Sequence, residues 1–86
     1  MSAENQKRFG ANVRRRRHEV GISQEDLAYE AGMHFTAISK LERGEREPRL
    51  HTILSVAAAL EVPPAHLLDG LEPPKRGARG SSAIRT

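Results

Sequence analysis

Apolar residues recur at helical spacing in several stretches of this 86-residue chain, and glycines, prolines or short polar runs separate the stretches. The first predicted helix covers residues 4–19, with Phe9, Val13, Arg17 and Val20 roughly on one face. Gly21 is expected to end it, because glycine adopts a positive φ at little cost. Five such segments predict a compact all-α domain.

Residues 21–44 carry the most informative part of the pattern, two short helices joined by a turn. Ser23 is followed by Gln24 and two acidic residues, a sequence typical of a helix N-terminus. A serine oxygen there accepts a hydrogen bond from an unpaired backbone N–H, and the carboxylates complement the helix dipole. An apolar stripe of Leu27, Ala28 and Ala31 follows, and Gly32 is expected to end this helix.

The second of these helices is predicted over residues 35–43, with Ile38 and Leu41 facing inward and Gly44 at its end. Small side chains on both helices would let them cross closely. These are Ala28, Ala31 and Ala37. Two short helices joined by a tight turn in this way form a helix-turn-helix pattern.

The C-terminal part predicts two more helices and a tail. A fourth helix is expected over residues 50–60, after a charged turn that Pro48 closes. Its predicted buried face comprises Leu50, Ile53, Leu54, Ala57 and Leu60. A short fifth helix has Pro64 at its first position and ends near residues 69–70. Residues 73–86 are rich in Pro, Gly, Ser and Arg, so a disordered basic tail follows a domain of residues 1–72.

Composition narrows the chemistry. The chain has no cysteine, and its four histidines show no spacing typical of metal ligands. The sequence also shows no combination of a nucleophile, a general base and an orienting group that would indicate catalysis. We therefore expect no enzyme, metal or cofactor, and the absence of a long apolar run makes a cytoplasmic protein the default expectation. Four of the 14 basic residues and none of the 11 acidic ones lie beyond residue 74, so residues 1–74 are nearly neutral. Positive charge is clustered rather than plentiful.

Several linked motifs resemble a known family. The segment of residues 27–32, the Ile38–Ser39 pair and the LERG motif at residues 41–44 are similar to Cro/phage-repressor-type (XRE-like) helix-turn-helix proteins. The resemblance covers roughly residues 9–70. The sequence pattern GMHxTxIS followed by ERGER is most similar to the controller proteins of restriction–modification systems. This resemblance implies a lambda-repressor-like fold in which helices 2 and 3 form the helix-turn-helix.

The resemblance also implies roles for individual residues. The second helix of such a motif enters the DNA major groove, where its first residues reach base edges. The base-reading candidates are His34, Phe35, Thr36, Ser39 and Lys40, and the phosphate-side candidates are Gln24, Arg43 and Arg46. Arg17 is expected to form a structural ion pair with Glu42 beneath helix 3. His34 stands where a Ser or Thr cap is usual, which predicts a weaker start to this helix.

These residues predict a sequence-specific transcriptional regulator that reads a pseudo-palindromic operator as a homodimer on double-stranded DNA. Glu45 and Glu47 put negative charge in a loop near phosphate, which is expected to weaken binding or turn the loop away. The predicted dimer interface consists of Leu67, Leu68 and Leu71. The alternative is a protein-binding module on the same fold, such as the antitoxin partner of a toxin or a transcriptional adaptor.

Overall fold

The computed structural model describes residues 1–74, which fold into five α-helices and contain no strand. The helices are α1 Ala3–Val20, α2 Gln24–Ala31, α3 Phe35–Glu42, α4 Leu50–Ala59 and α5 Pro64–Leu67. The predicted all-α, five-helix class is therefore confirmed. Most of the predicted tail, from residue 75 onward, lies outside the described residues.

The ends of α1 and α2 follow from local sequence. Ser23 caps α2 because its hydroxyl accepts a hydrogen bond from the Asp26 N–H at 3.0 Å. The Asp26 carboxylate accepts in return from the Ser23 N–H at 3.3 Å, which completes a capping box. Gly21 ends α1 with φ at 85° and Gly32 ends α2 with φ at 68°, in the left-handed region that favours glycine.

All five helices contribute to one apolar core. Phe9 and Val13 of α1 are fully buried among side chains from the other helices. The remaining fully or almost fully buried apolar residues are Leu27, Ala28, Ile38, Leu41, Val56, Ala57, Leu60 and Leu67. Because α3 places Ile38 and Leu41 in this core, the opposite side of α3 is fixed toward solvent.

The prediction for the buried face of α4 is partly wrong. Leu50 is 72% exposed and Leu54 is 48% exposed, whereas Val56, Ala57 and Leu60 are buried. Apolar residues occur on two sides of this helix, and in the buried set Val56 lies roughly 160° around the axis from Leu54. Packing against α2 and α5 selects that set. Val20 also differs from its prediction, since the end of α1 leaves it exposed.

Two asparagines of α1 hold the segment that follows α5. The Asn12 Nδ2 donates to the carbonyl oxygens of Leu67 and Asp69, both at 2.9 Å. Asn5 lies seven residues earlier, about two helical turns from Asn12. It exchanges two hydrogen bonds with the backbone of Glu72, at 2.7 and 3.0 Å. The chain thus lies along α1 to residue 72, although α5 itself ends earlier than predicted.

Candidate nucleic-acid interface

The outer side of α3 carries a continuous row of side chains that can contact a ligand. Thr36, Lys40 and Arg43 are exposed, and Ser39 between them is half-buried. Their spacing of three or four residues places them along one side of the helix. Phe35, at the start of α3, is 47% exposed even though it is a large apolar residue. The surface therefore combines an aromatic ring, hydroxyls and cations.

The N-terminus of α3 has no side-chain cap. His34 occupies the N-cap position with extended backbone angles, and its side chain makes no capping hydrogen bond. The backbone N–H groups of Ala37 and Ile38 donate to the His34 carbonyl at 3.0 and 3.2 Å, so the first turn is closed by backbone alone. The exposed His34 side chain is thus available at the end of the helix from which Phe35 and Thr36 project.

A buried ion pair fixes the other end of α3. The Arg17 Nε and Nη2 donate to the two carboxylate oxygens of Glu42 at 2.6 and 2.9 Å. The side chains are only 9% and 2% exposed. Arg17 Nη1 also donates to the Ile22 carbonyl at 3.0 Å. The hydrogen bond to Glu42 raises the pKa of Arg17 above its ordinary value, despite the opposing effect of burial. The ion pair that the resemblance implied is present.

Gln24 has a contact that the sequence did not indicate. Its Nε2 donates to Glu42 Oε1 at 2.9 Å, so Glu42 links α1, α2 and α3. This bond joins residues 18 positions apart on different helices, and no local spacing marks it. Gln24 is half-buried at the first turn of α2, and its Nε2 carries a second N–H donor besides the one that meets Glu42.

Arg43 is already paired in this structure. Its Nε and Nη2 donate to the carboxylate of Glu45 at 2.9 and 3.2 Å, and its Nη1 donates to the Ser39 hydroxyl. The hydrogen bond with Arg43 is the main reason that the pKa of Glu45 lies below its ordinary value, and the charge of Lys40 contributes. The negative charge expected in this loop is thus partly neutralised within the chain.

The remaining residues of the loop differ in their pairing. Glu47 accepts a hydrogen bond from the N-terminal amine of Met1 at 2.6 Å. Within residues 1–74, no carboxylate forms an ion pair with Lys40 or Arg46. These two cations therefore face solvent from the end of α3 and the loop that follows it.

The leucines predicted as a dimer surface do not share one environment. Leu67 is completely buried in the core of its own chain, so assigning it to a dimer surface was wrong. Leu71 is half-buried and packs against the core. Leu68 is 38% exposed and is the member of the three that offers an accessible apolar surface.

The part of the chain that the structure describes shows two further features relevant to function. Residues 1–74 hold no group of three or more histidine or acidic side chains placed to bind a metal ion. None of their helices is both long enough and apolar enough to cross a membrane.

Two short helices that pack closely, with the second held by a buried ion pair and exposed along its outer side, define a helix-turn-helix domain. A family model described as helix-turn-helix matches residues 13–67, and the chain belongs to this family. The resemblance inferred from the motifs is therefore confirmed.

Named relatives support the narrower resemblance as well. The chain is similar to control protein C.BamHI of Bacillus amyloliquefaciens, with 45% identity over 62 residues that cover 71% of this chain and 76% of that protein. It is also similar to the crystal structure of the restriction-modification controller protein C.AhdI from Aeromonas hydrophila. That match has a TM-score of 0.73 and 36% identity, and it covers 74% of this chain and 97% of the other.

A third comparison involves a bound nucleic acid. The P22 c2 repressor protein, solved in complex with a synthetic operator, matches with a TM-score of 0.67 and 37% identity. The match covers 72% of this chain and 94% of that one. The helix-turn-helix part of this chain thus shares its fold with a domain solved on DNA.

Proposed function

We propose that this chain is a sequence-specific DNA-binding transcriptional regulator that works in the cytoplasm by inserting α3 into the major groove. The observation that carries the proposal is the exposed side of α3, where Phe35, Thr36 and Lys40 project while Ile38 and Leu41 anchor the other side. The P22 c2 repressor, which was solved in complex with a synthetic operator and is 37% identical to this chain over the matched part, supports this use of the fold.

The side chains of α3 suit the chemistry of base edges. A lysine ammonium donates to guanine O6 and N7, which assigns Lys40 to a guanine. Thr36 and Phe35 offer methyl and ring carbons to a thymine methyl group. His34 supplies a further polar group at the N-terminal end of the same row, and Ser39 supplies one within it. These are the residues to which we assign sequence discrimination.

We assign contacts with the DNA sugar-phosphate backbone to residues around α3. Gln24 begins α2, while Arg43 and Arg46 follow the other end of α3. Such groups hydrogen-bond to phosphate oxygens and fix the position of a protein on DNA without reading sequence. The buried Arg17–Glu42 pair has a structural role, because it holds the end of α3 against α1.

We further propose that the regulator binds as a homodimer. One recognition helix reads too few base pairs to identify an operator among the sites of a genome. Two copies related by a two-fold axis place their helices in successive major grooves about 34–36 Å apart, on a pseudo-palindromic site. Leu68, just after α5, is the central residue of the proposed surface, and the exposed Leu54 lies on α4, the helix that packs against α5.

A protein-binding module on the same fold is the second candidate function. Tyr29 on α2 is 84% exposed and Leu50 on α4 is 72% exposed, and the proposed DNA contacts use neither residue. An antitoxin or a transcriptional adaptor would use such apolar side chains to contact another protein.

Selection from a pool of random DNA duplexes tests the proposed function. We expect enrichment of a pseudo-palindrome whose half-sites are separated by one helical turn. The matched control is the Thr36→Ala, Lys40→Ala double variant, which should enrich a weaker or altered sequence. Failure of the unmodified protein to enrich any sequence would overturn the proposal and favour the protein-binding function.

A further inference from the structure

Three of the five N–H donors of the Arg43 guanidinium are engaged by groups of its own chain. Its Nε and Nη2 face the two oxygens of Glu45 in a two-pronged arrangement, and its Nη1 meets the Ser39 hydroxyl. Arginine binds phosphate in the same two-pronged way, through two parallel N–H···O bonds. The Glu45 carboxylate therefore occupies the edge of Arg43, formed by Nε and Nη2, through which the guanidinium would bind a DNA phosphate in this two-pronged way.

The turn after α3 brings these two side chains together. Gly44 has a φ of 74°, which reverses the chain so that Glu45 points back toward Arg43. A side chain at position 44 would overlap the backbone and side chain of Lys7, so the close approach to α1 maintains this glycine turn. The local backbone thus holds the two side chains within reach of each other.

Both members of the pair are exchangeable. Their side chains are 52% and 53% exposed, and exposed ion pairs of this kind contribute little free energy. Within residues 1–74, the carboxylate of Glu45 makes hydrogen bonds to Arg43 alone. A phosphate can accordingly displace it, but the released carboxylate stays near the phosphate and repels it.

We propose that Glu45 is an internal competitor of DNA phosphate for Arg43, so that Arg43 contacts the DNA backbone only after it releases Glu45. This inference rests on the proposed function, because it concerns the same interface. Its consequence is a lowered affinity for any duplex, independent of sequence. Lys40 and Arg46, which have no such partner among the described residues, contact DNA without this competition.

Binding to an operator-free duplex of fixed length, measured over a range of salt concentrations, tests the proposal. Glu45→Gln should tighten binding about two- to fivefold beyond the effect of Glu47→Gln, which removes the same charge two residues away. The slope of log Kobs against log salt should be the same in Glu45→Gln as in Glu47→Gln, because Arg43 contacts the phosphate in both and each variant removes one negative charge.

A double-variant cycle with Arg43→Gln separates the pair from general charge effects. If Glu45 acts through Arg43, then Glu45→Gln should have no more effect than Glu47→Gln once Arg43 is replaced. Equal effects of Glu45→Gln and Glu47→Gln in the unmodified background would overturn the inference and leave the proposed function intact. Weaker binding by Glu45→Gln would also overturn it, because Glu45 would then position Arg43. No duplex binding by any variant would instead refute the proposed function.

Discussion

Arg17 of α1 and Glu42 at the end of α3 form a bidentate ion pair that is almost completely buried, with N–O distances of 2.6 and 2.9 Å. Gln24 of α2 donates a third hydrogen bond to the same carboxylate. One acidic residue therefore connects three helices at the base of the surface that we assign to DNA. Its geometry fixes the position of α3 relative to the rest of the domain.

Replacing Glu42 by alanine should destabilise the fold more than it alters base recognition. The change leaves Arg17 buried without its partner, and an unpaired buried charge costs about 1–3 kcal/mol or more. Denaturant unfolding measures the loss as a lower midpoint. The Arg17→Met, Glu42→Leu double variant is the control, because it removes both charges and should recover much of the lost stability. An unchanged midpoint with abolished DNA binding would show that Glu42 acts directly on DNA.

A second prediction concerns Gly10, where α1 passes the end of α3. A Cβ at this position would overlap the carbonyl oxygens of Leu41 and Glu42, both backbone atoms. Gly10→Ala should therefore destabilise the domain by about 1–3 kcal/mol, even though alanine is the better helix former. The exposed neighbour offers a control, since Ala11→Ser should change stability by about 0.5 kcal/mol or less. A stabilised Gly10→Ala variant would mean that α1 and α3 pack less closely than described.

The sequence indicated local features of this fold better than long-range ones. Ser23 and Gly32 end α2 as predicted because capping depends on neighbouring residues alone. The orientation of α4 was only partly predictable: Ala57 and Leu60 are buried as predicted, but Leu50 and Leu54 continue the same apolar row and are exposed. The same limit applies to Asn12, whose bonds to the segment after α5 join residues more than fifty positions apart.

The candidate site shows the same division. The exposed positions of Phe35, Thr36 and Lys40 follow from the helical period of α3 once Ile38 is placed inward. The link from Gln24 to Glu42 depends on how α2 crosses the end of α3, and the sequence carries no local signal for it. The pairing of Arg17 with Glu42 came from the family resemblance, because nothing in their separate patterns connects them.

Lys40 should discriminate between DNA sequences. If Lys40 donates to a guanine, then Lys40→Ala should weaken the binding free energy by about 1–3 kcal/mol on the selected site and by less on random duplex. Arg46→Ala is the matched control, because a phosphate contact should weaken binding to both duplexes alike. Titrations on the selected and random duplexes decide between the two roles. Equal losses for Lys40→Ala on both would make Lys40 a phosphate contact.

The Arg43–Glu45 pair predicts a specific pH dependence. Because Arg43 lowers the pKa of Glu45, the pair stabilises the loop above the ordinary carboxyl pKa and loses its effect as pH falls through the lowered one. Carboxyl titration followed by NMR should give Glu45 a pKa below that of an unpaired glutamate. Arg43→Gln should return it toward the ordinary value. A pKa of Glu45 that does not respond to Arg43→Gln would show that the two side chains are apart in solution.

The last prediction concerns the proposed dimer. Leu68 is accessible and lies just after α5, whereas Leu67 is part of the core, so the two neighbouring leucines should respond differently to substitution. Leu68→Asp should give a monomer of 9.5 kDa that keeps its helical content, because an exposed position tolerates a charge but an apolar interface does not. It should also lose affinity for a two-half-site operator while a single half-site is bound as before. Tyr29→Asp is the control, since it adds the same charge at a more exposed position on α2 and should leave the dimer intact. Sedimentation of both variants at micromolar concentration measures their oligomeric state. If the unmodified protein sediments as a monomer and binds two half-sites without cooperativity, the homodimer proposal fails.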